Sequence, residues 1–430
     1  MKVLFVYPRF ERHADSNPEL RRYVPMNEYL GSPSLGIAAI AAVTPGDVAL
    51  EFRDDRVQSA AFETDADLVA LSFFTPAATR AFELAAYFRG MGKRVVAGGI
   101  FSTMMPDLVA PHVDAVVVGE GETAWLQLLA DLEAGELRPR YHGAPVDLAQ
   151  LPPPRLDLYF AQEGPGFAPD DYPLQISRGC PLSCSACVLP ESMGAAIRTY
   201  PLDQVWAQLT QIAGHGRRAC LTEDTSWFPG PGRRLLEALA HRLRDSGAPL
   251  QVSYLGASMP QVLAAPNSFL SAIHDAGVNM LYLVGGFDPV STRAFTGQDP
   301  RAHQRALDAL RRAWDFGLEP YTSFLIGNDQ DDEGTVDRML ELADRASLKK
   351  AEFAIFTPYP GTPAWRRLKA EGRILTEQWS RYNDANVVFQ PAHFSPEGLR
   401  DAYLTLWREF YRSRLGVVQG LDLPGRTIQF

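Results

Sequence analysis

Three of the four cysteines in this chain lie within one stretch of eight residues. Cys180, Cys184 and Cys187 follow one another with the spacing Cys-x3-Cys-x2-Cys, directly after a short apolar run. Three thiolates on one tight loop can each bind one iron of a cubane iron–sulfur cluster. Since no fourth cysteine lies nearby, the fourth iron would keep an open coordination site for a substrate or a cofactor. The spacing therefore predicts a 4Fe-4S cluster that takes part in chemistry.

Zinc is the alternative metal for such a loop. Structural zinc sites use four ligands, usually in two pairs. No histidine or further cysteine close to Cys187 completes such a set. The remaining cysteine, Cys220, lies inside an apolar run, where a free cysteine behaves as a small hydrophobic residue. The cysteine pattern thus favours a cluster over zinc and leaves Cys220 outside it.

Length and composition restrict the class of protein. At roughly 150 residues per domain, 430 residues predict two to three domains. The net charge of −10 disfavours a nucleic acid as the main partner. No apolar run approaches the roughly 20 residues of a membrane span, and Met1–Phe10 lacks the long apolar region of a signal peptide. Four cysteines do not make a secreted disulfide framework, so we expect a cytoplasmic protein without a membrane span.

The first 140 residues alternate between patterns typical of buried strands and of helices. Parallel βα units of this kind form an α/β, doubly wound, Rossmann-like sheet. Loops at the carboxyl ends of its strands build ligand sites, and the glycines there either admit a large ligand or form tight turns. The predicted strands are Lys2–Tyr7, Ala49–Arg53, Leu68–Phe74, Arg94–Gly98 and Ala115–Val118, and the predicted helices are Ser34–Val43, Ala77–Met91 and Thr123–Leu132.

A second βα series follows a linker that prolines at positions 145 and 152 to 154 predict over residues 141–170. Its six units, over residues 171–365, are too few for a closed eight-stranded barrel, so we expect a partial (β/α)6 barrel. Residues 366–430 are expected to be mainly helical and either cover the open side of the barrel or pack against its wall. The predicted barrel strands are Leu174–Ser177, Ala219–Thr222, Leu250–Leu255, Met280–Val284, Tyr321–Ile326 and Ala351–Phe356, and the predicted helices are Leu202–Gly214, Arg233–Ser246, Ala302–Phe316 and Glu333–Ala346.

Short motifs at the ends of these strands resemble those of two known domains. The motifs that resemble the radical S-adenosylmethionine (SAM) superfamily are the cysteine motif, Leu221–Thr225, Gly285-Gly286, Leu325–Gly327 and the turn Pro358–Pro363. The motifs that resemble the cobalamin-binding domain of the class B-like radical SAM methyltransferase branch are Ser32–Gly36, Ala97–Gly99, Val118–Thr123 and Leu151–Asp157. The resemblance implies that the open iron chelates SAM and that reduction of the cluster cleaves SAM to a 5′-deoxyadenosyl radical.

The resemblance also assigns site residues by their position in the motifs. Cys180, Cys184 and Cys187 are the expected cluster ligands. Glu223 and Asp224 are the expected catalytic acid or base groups, or else groups that hold SAM or sit solvated at a strand end. The expected SAM-binding residues are Ala186, Glu223, Gly285, Gly286, Gly327 and Pro358. The expected cobalamin-binding residues are Pro8, Ser72, Phe74, Gly98, Gly99, Gly119, Glu120 and Glu122.

The chain departs from the family pattern at several positions. No Asp-x-His-x-x-Gly motif occurs, as is general in this branch, so no histidine is placed to bind cobalt from below. Ala186 stands where many members carry an aromatic residue beside the adenine of SAM. Phe287-Asp288 replaces a common Glu-Ser pair, and Asn328-Asp329 lacks the usual proline. Arg198, after the cysteine motif, either pairs with the SAM carboxylate or forms a surface ion pair.

The resemblance implies methylation of an unactivated carbon, or of phosphorus, in a small molecule from specialised-metabolite, cofactor or lipid biosynthesis. One SAM would supply the methyl group through cobalamin and a second would supply the radical. A radical cyclisation or rearrangement without methyl transfer, with cobalamin absent or non-methylating, is the alternative within the same fold. A non-catalytic sensor that holds a cluster and cobalamin is the alternative of another class. The expected partners are the substrate and an electron donor such as flavodoxin or ferredoxin.

Overall fold

The computed structural model describes residues 1–23, 33–164, 168–169, 171–221, 227–247, 251–286, 288–297, 299–412 and 414. These residues form two six-stranded parallel sheets and a small antiparallel ribbon. No helix among them is long and apolar enough to cross a membrane.

The first sheet is doubly wound, as the alternating pattern predicts. Its strands, all parallel, run in the order β2-β1-β3-β4-β5-β6. Successive residues of β1 pack on opposite faces of the sheet: Phe5 belongs to one hydrophobic cluster, and Leu4 and Val6 belong to another. The strands are β1 Lys2–Tyr7, β2 Ala49–Asp54, β3 Leu68–Ser72, β4 Arg94–Gly98, β5 Ala115–Gly119 and β6 Arg140–Gly143, and the helices are α1 His13–Ser16, α2 Leu35–Val43, α3 Ala78–Gly90, α4 Ile100–Met104, α5 Pro106–Val109, α6 Glu122–Ala134 and α7 Asp157–Phe160.

Two details of this domain differ from the sequence prediction. Strand β3 ends at Ser72 rather than Phe74, and the chain then enters a 3₁₀ turn over Thr75–Ala77. Strand β6, Arg140–Gly143, overlaps the start of the segment predicted as a linker and pairs with β5. Only Tyr141 of its four residues is buried, so the strand has no apolar run by which it could be recognised.

The second sheet is the predicted partial barrel, with its strands in the order β14-β13-β12-β11-β10-β7. Its first strand lies at Asp171–Pro173, so the predicted strand Leu174–Ser177 is displaced. The strands of this sheet are β7 Asp171–Pro173, β10 Arg218–Leu221, β11 Val252–Ala257, β12 Met280–Val284, β13 Glu319–Ile326 and β14 Lys350–Ile355. The antiparallel ribbon consists of β8 Ser177–Arg178 and β9 Arg198–Thr199. The helices are α8 Leu189–Met193, α9 Leu202–Gly214, α10 Pro231–Ser246, α11 Met259–Ala264, α12 Asn267–Asp275, α13 Pro289–Thr296, α14 Pro300–Asp315, α15 Thr335–Arg345, α16 Pro363–Ala370 and α17 Pro396–Arg412.

Helix α17 packs against the barrel wall, which is one of the two expectations for the C-terminal segment. Trp407 and Phe410 lie 5.5 Å and 5.6 Å from the ring of Phe353 in β14. The Tyr411 hydroxyl donates to the Ala351 carbonyl and accepts from the Ala351 amide. The stretch before α17 includes a 3₁₀ turn, Trp379–Arg381, that reaches the first domain, where the ring of Trp379 lies 5.5 Å from that of Phe101. The C-terminal segment thereby ties the barrel to the first domain.

Candidate active site

The three cysteines lie on a closed loop, residues 179–197, that we call the cysteine loop. It leaves strand β8 and returns as strand β9, which pairs with β8 antiparallel. Gly179 has a φ of +94°, and a Cβ there would lie 2.1 Å from the Ala196 carbonyl oxygen. The Cys180 amide donates to the Gly194 carbonyl at 3.0 Å. Because only glycine fits this conformation and this close contact, Gly179 lets the two ends of the loop meet.

The donor set of the loop fits a cubane cluster. Cys180 is buried, and Cys184 and Cys187 are half-buried. The Leu189 amide lies 3.5 Å from the Cys187 sulfur, where it can stabilise a thiolate. Within the part of the chain that the structure describes, no three His, Cys, Asp or Glu side chains converge on a single metal ion. A cubane binds its thiolates through different irons, so its ligands need not converge in that way.

The turn after the sixth barrel strand, Pro358–Pro363, contacts the cysteine loop. The Ala364 amide, directly after the turn, donates to the Ser185 carbonyl at 2.8 Å. Arg366 adds an ion pair with Glu191 at 3.2 Å. Ala186, next to Ser185, is buried, and so is Pro358. Two motifs that are far apart in sequence therefore meet at the carboxyl end of the barrel.

The glycines after strand β12 are required by close packing. A Cβ at Gly285 would lie 2.4 Å from the Ser323 carbonyl oxygen. Gly286 has a φ of +91°, and a Cβ there would lie 2.4 Å from Leu325 Cβ. The Gly286 amide donates to the Ser291 hydroxyl at 2.8 Å. This turn at the mouth of the barrel is thus held rigidly against strand β13.

Two carboxylates near the mouth were not found by sequence reasoning. Asp331 is fully buried, and its Oδ2 accepts from the amides of Gly327 and Asn328 at 2.6 Å and 2.8 Å. Burial outweighs these bonds and raises its pKa to about 6. Asp384 has a φ of +61°, and the Tyr359 hydroxyl donates to its carboxylate, with 3.0 Å to each of Oδ1 and Oδ2. Burial likewise raises its pKa to about 6. Neither residue belongs to a recognisable motif.

The concave face of the barrel carries a row of tyrosines that sequence reasoning also missed. The ring of Tyr282 lies 6.3 Å from that of Tyr254 and 5.3 Å from that of Tyr321. The Tyr282 hydroxyl donates to Glu352 at 3.0 Å. All three tyrosines are half-buried. In β12, Tyr282 alternates with the core residues Leu281 and Leu283, so it lies on the opposite face of the strand. This alternation is the sequence signal that could have placed the tyrosines on the inner face.

Glu223 and Asp224, the expected catalytic groups, lie outside the described residues. Cys220 lies nearby in strand β10 and is buried. Burial raises the pKa of its thiol to about 12, so the thiol stays protonated. This agrees with its interpretation as a small hydrophobic residue rather than a ligand.

All eight residues expected to bind cobalamin end or follow strands at the carboxyl edge of the first sheet, and five of them lie at β1, β3 and β4. Pro8 follows β1, Ser72 ends β3 and Phe74 follows it, and Gly98 ends β4 and Gly99 follows it. Strands β1 and β3 are neighbours, and the chain leads from β1 to β2 on one side and from β3 to β4 on the other. The carboxyl edge therefore has a topological switch point between β1 and β3. A Cβ at Gly99 would lie 2.7 Å from the Phe73 carbonyl oxygen, so this glycine serves a tight turn.

The other three expected cobalamin residues face a different part of the molecule. A Cβ at Gly119 would lie 2.3 Å from the Gly143 carbonyl oxygen, so Gly119 serves the contact between β5 and β6. The carboxylates of Glu120 and Glu122 are buried and form ion pairs with Arg178 of the barrel at 3.2 Å and 2.7 Å. Glu120 also pairs with Arg198. Of the two expectations for Arg198, the structure thus shows an ion pair, although a half-buried one rather than one at the surface.

The carboxyl edges of the two sheets face each other. Helix α4, which follows Gly99, contacts helix α8 of the cysteine loop. A Cβ at Gly361 would lie 2.9 Å from the Met104 methyl group at the end of α4. The loops of the first domain therefore meet both the cysteine loop and the Pro358–Pro363 turn at one junction.

Comparisons with known proteins agree with this architecture. The B12 binding domain family matches residues 30–129. A bacteriochlorophyllide d C-8(2)-methyltransferase of Chlorobaculum tepidum is 24% identical over 92% of this chain and 89% of its own length. A hopanoid C-2 methylase of Rhodopseudomonas palustris is 22% identical over 95% of this chain and 76% of its own.

A solved structure is similar in fold. It is that of the radical S-adenosylmethionine methyltransferase TsrM from Kitasatospora setae, with cobalamin and a 4Fe-4S cluster bound. The match has a TM-score of 0.61 at 16% identity and covers 86% of this chain and 78% of that one.

Proposed function

We propose that this chain, a radical SAM enzyme with a B12-binding domain ahead of its barrel, methylates an unactivated carbon or a phosphorus atom of a small molecule. The observation that carries the proposal is the junction described above. There the cysteine loop bonds through Ser185 to Ala364, directly after the Pro358–Pro363 turn, and α4 of the B12-binding domain packs on that turn at Gly361. Methylation through cobalamin requires these two domains to present their cofactors to one substrate.

The chain offers a defined set of groups for each cofactor. Cys180, Cys184 and Cys187 would hold the cluster, and the rigid backbone at Gly285, Gly286, Gly327 and Pro358 would hold SAM. The loops at Pro8, Ser72, Phe74, Gly98 and Gly99 would face cobalamin. When bound, the reduced cluster supplies the electron that cleaves SAM, and cobalamin supplies a carrier for the methyl group.

The rest of the chain would position the substrate and keep water away. The half-buried Tyr254, Tyr282 and Tyr321 give the concave face of the barrel aromatic surface, on which apolar or planar substrates pack. Two relatives, a bacteriochlorophyllide methyltransferase and a hopanoid methylase, support a substrate from cofactor, lipid or specialised-metabolite biosynthesis. The cysteines of the loop form no disulfide with a described residue, which suits the reducing cytoplasm, where flavodoxin or ferredoxin would reduce the cluster.

Isotope transfer from SAM tests the proposal. The reconstituted full chain is incubated anaerobically with methyl-labelled SAM, cobalamin, a reductant and an extract of small molecules. We expect label in a new product together with 5′-deoxyadenosine, and neither with a Cys184→Ala variant. If 5′-deoxyadenosine accumulates while the label stays in SAM or methionine, the reaction is a rearrangement and the methyl-transfer proposal is wrong.

A further inference from the structure

The neck of the cysteine loop, which is the ribbon of β8 and β9, places two like charges opposite each other. Arg178 and Arg198 are direct partners in its antiparallel register. Side chains at directly opposed positions share one face of a ribbon, and like charges there destabilise the pairing. The segment that these two arginines enclose contains all three cysteines of the motif. The neck therefore needs a negative group from elsewhere to stay closed.

Glu120 of the B12-binding domain supplies that negative group. Its Oε2 lies 3.2 Å from Arg178 Nη1 and 3.0 Å from Arg198 Nη1, and its Oε1 contacts Arg198 Nη2. The exposed fractions of the Arg178 and Glu120 side chains are 8% and 7%. Burial alone would raise the pKa of Glu120, but Arg198, the Val146 amide and Arg178 together hold it below its ordinary value. Glu120 is thus an anion shared by both arginines.

Glu122 completes the charge balance without bridging the neck. It pairs with Arg178 at 2.7 Å, and Arg178 also donates to the Tyr200 hydroxyl at 3.2 Å. Two arginines and two glutamates then form one neutral group, in which Arg178 and both glutamates are buried and Arg198 is half-buried. Glu120 alone contacts both arginines among the residues the structure describes, so it is the member on which closure depends.

We propose that Glu120 is a positioning residue that closes the cysteine loop, so that the B12-binding domain builds the cluster-binding site of the barrel. This role differs from cobalamin binding, which is the role that the resemblance of its motif implies. It makes the order of the cysteine loop depend on contact between the two domains. A barrel that separated from the B12-binding domain would lose the loop geometry as well as the second cofactor.

Hydrogen exchange in the full chain without metal or cofactor tests the proposal. The probe is the Cys180 amide, which bonds to the Gly194 carbonyl across the loop. In Glu120→Gln we expect this amide to exchange at least about tenfold faster, because the neck opens locally. The control is Asp55→Asn, which removes another buried carboxylate of the same domain, paired with Arg80 at 2.7 Å. It should leave the Cys180 exchange rate within about twofold of the parent.

A second substitution separates charge balance from simple loss of a hydrogen bond. Arg198→Met removes one of the two opposed charges, so we expect the single variant to keep protection of the Cys180 amide. Combined with Glu120→Gln, it should recover most of the lost protection. Unchanged exchange in Glu120→Gln, or a double variant as poorly protected as that variant, would overturn the proposal. If Glu120→Gln does not fold, Arg198→Met alone still tests the proposal. Loss of protection of the Cys180 amide in Arg198→Met would mean that the hydrogen bonds of Arg198, and not the opposed charges, control the loop, and would overturn the proposal.

Iron content provides the functional readout. Glu120→Gln should retain less than half of the iron that the parent retains after reconstitution, and the double variant should recover it. This measurement rests on the proposed function, whereas the exchange measurement does not. A parent that binds no iron would contradict the proposed function and leave the neck proposal standing on exchange alone.

Discussion

Replacing Asp331 with asparagine should change how the stability of the protein depends on pH. Asp331 is fully buried, and burial raises its pKa to about 6 from the ordinary 3.8. A carboxyl group with a raised pKa stabilises the fold below its unfolded pKa, and this contribution is lost as the pH rises through the folded pKa. Between these pH values the folded chain holds a proton that the unfolded chain has released. The parent therefore loses stability as the pH rises through this window.

The size of the effect follows from the two pKa values. A change from 3.8 to about 6 corresponds to a cost of about 3 kcal/mol at pH 8, and linkage gives about half of that at pH 5. Asparagine carries no charge and can still accept from the amides of Gly327 and Asn328. The Asp331 Oδ1 atom has no hydrogen-bond partner among the described residues, so the new amide group there costs about 1–2 kcal/mol at every pH. The stability of the variant relative to the parent should thus increase by about 1–2 kcal/mol from pH 5 to pH 8.

Urea unfolding of the metal-free chain at pH 5 and pH 8 measures this difference. Asp329→Asn is the matched control, since Asp329 stands two residues away with the opposite shift. Burial would raise the pKa of Asp329, but Arg373 and Arg367 outweigh it and lower the pKa. The relative stability of Asp329→Asn should therefore not increase with pH. A relative stability of Asp331→Asn that stays constant or falls between pH 5 and pH 8 would refute the reasoning.

Three further predictions concern packing and ligand identity. Gly286→Ala should lower the free energy of unfolding by about 2 kcal/mol more than Gly277→Ala, because both glycines have a positive φ but a Cβ at Gly286 would also collide with Leu325. Equal losses of stability for the two variants in urea unfolding would contradict this. Cys220→Ala should keep the full iron content after reconstitution while Cys184→Ala loses its cluster, as iron analysis would show; iron loss in Cys220→Ala would make Cys220 a ligand. Tyr411→Phe should lower the free energy of unfolding by about 1–2 kcal/mol, because its hydroxyl is bonded to both the amide and the carbonyl of Ala351; no loss would mean that water replaces those bonds.

Local patterns explain which parts of the fold were predictable. The cysteine loop and strand β12 follow from residues close together in sequence, and both lie where the pattern predicts them. Strand β6 was missed because only one of its four residues is buried. The first barrel strand was displaced because the apolar run begins after it, at Leu174. Periodicity reports burial, and these short strands are defined by backbone pairing instead.

The contacts between domains were beyond sequence reasoning. Glu120 and Arg178 are separated by 58 residues, and nothing in either motif shows that they meet. The glycine-rich segment around Glu120 resembles a cofactor loop, which hides its contact with the barrel. Asp331 and Asp384 were missed for a related reason. Burial is the main cause of their raised pKa values, and the burial of a single aspartate cannot be read from the residues beside it.

The central claim is that one chain binds both a 4Fe-4S cluster and cobalamin. Metal and corrinoid analysis of the full chain, purified and reconstituted without oxygen, tests it most directly. We expect about four irons and about one corrinoid per chain, with the iron lost and the corrinoid kept in Cys184→Ala. Iron without corrinoid would contradict the cobalamin half of the claim, and a chain that binds zinc or no iron at Cys180, Cys184 and Cys187 would contradict the whole of it.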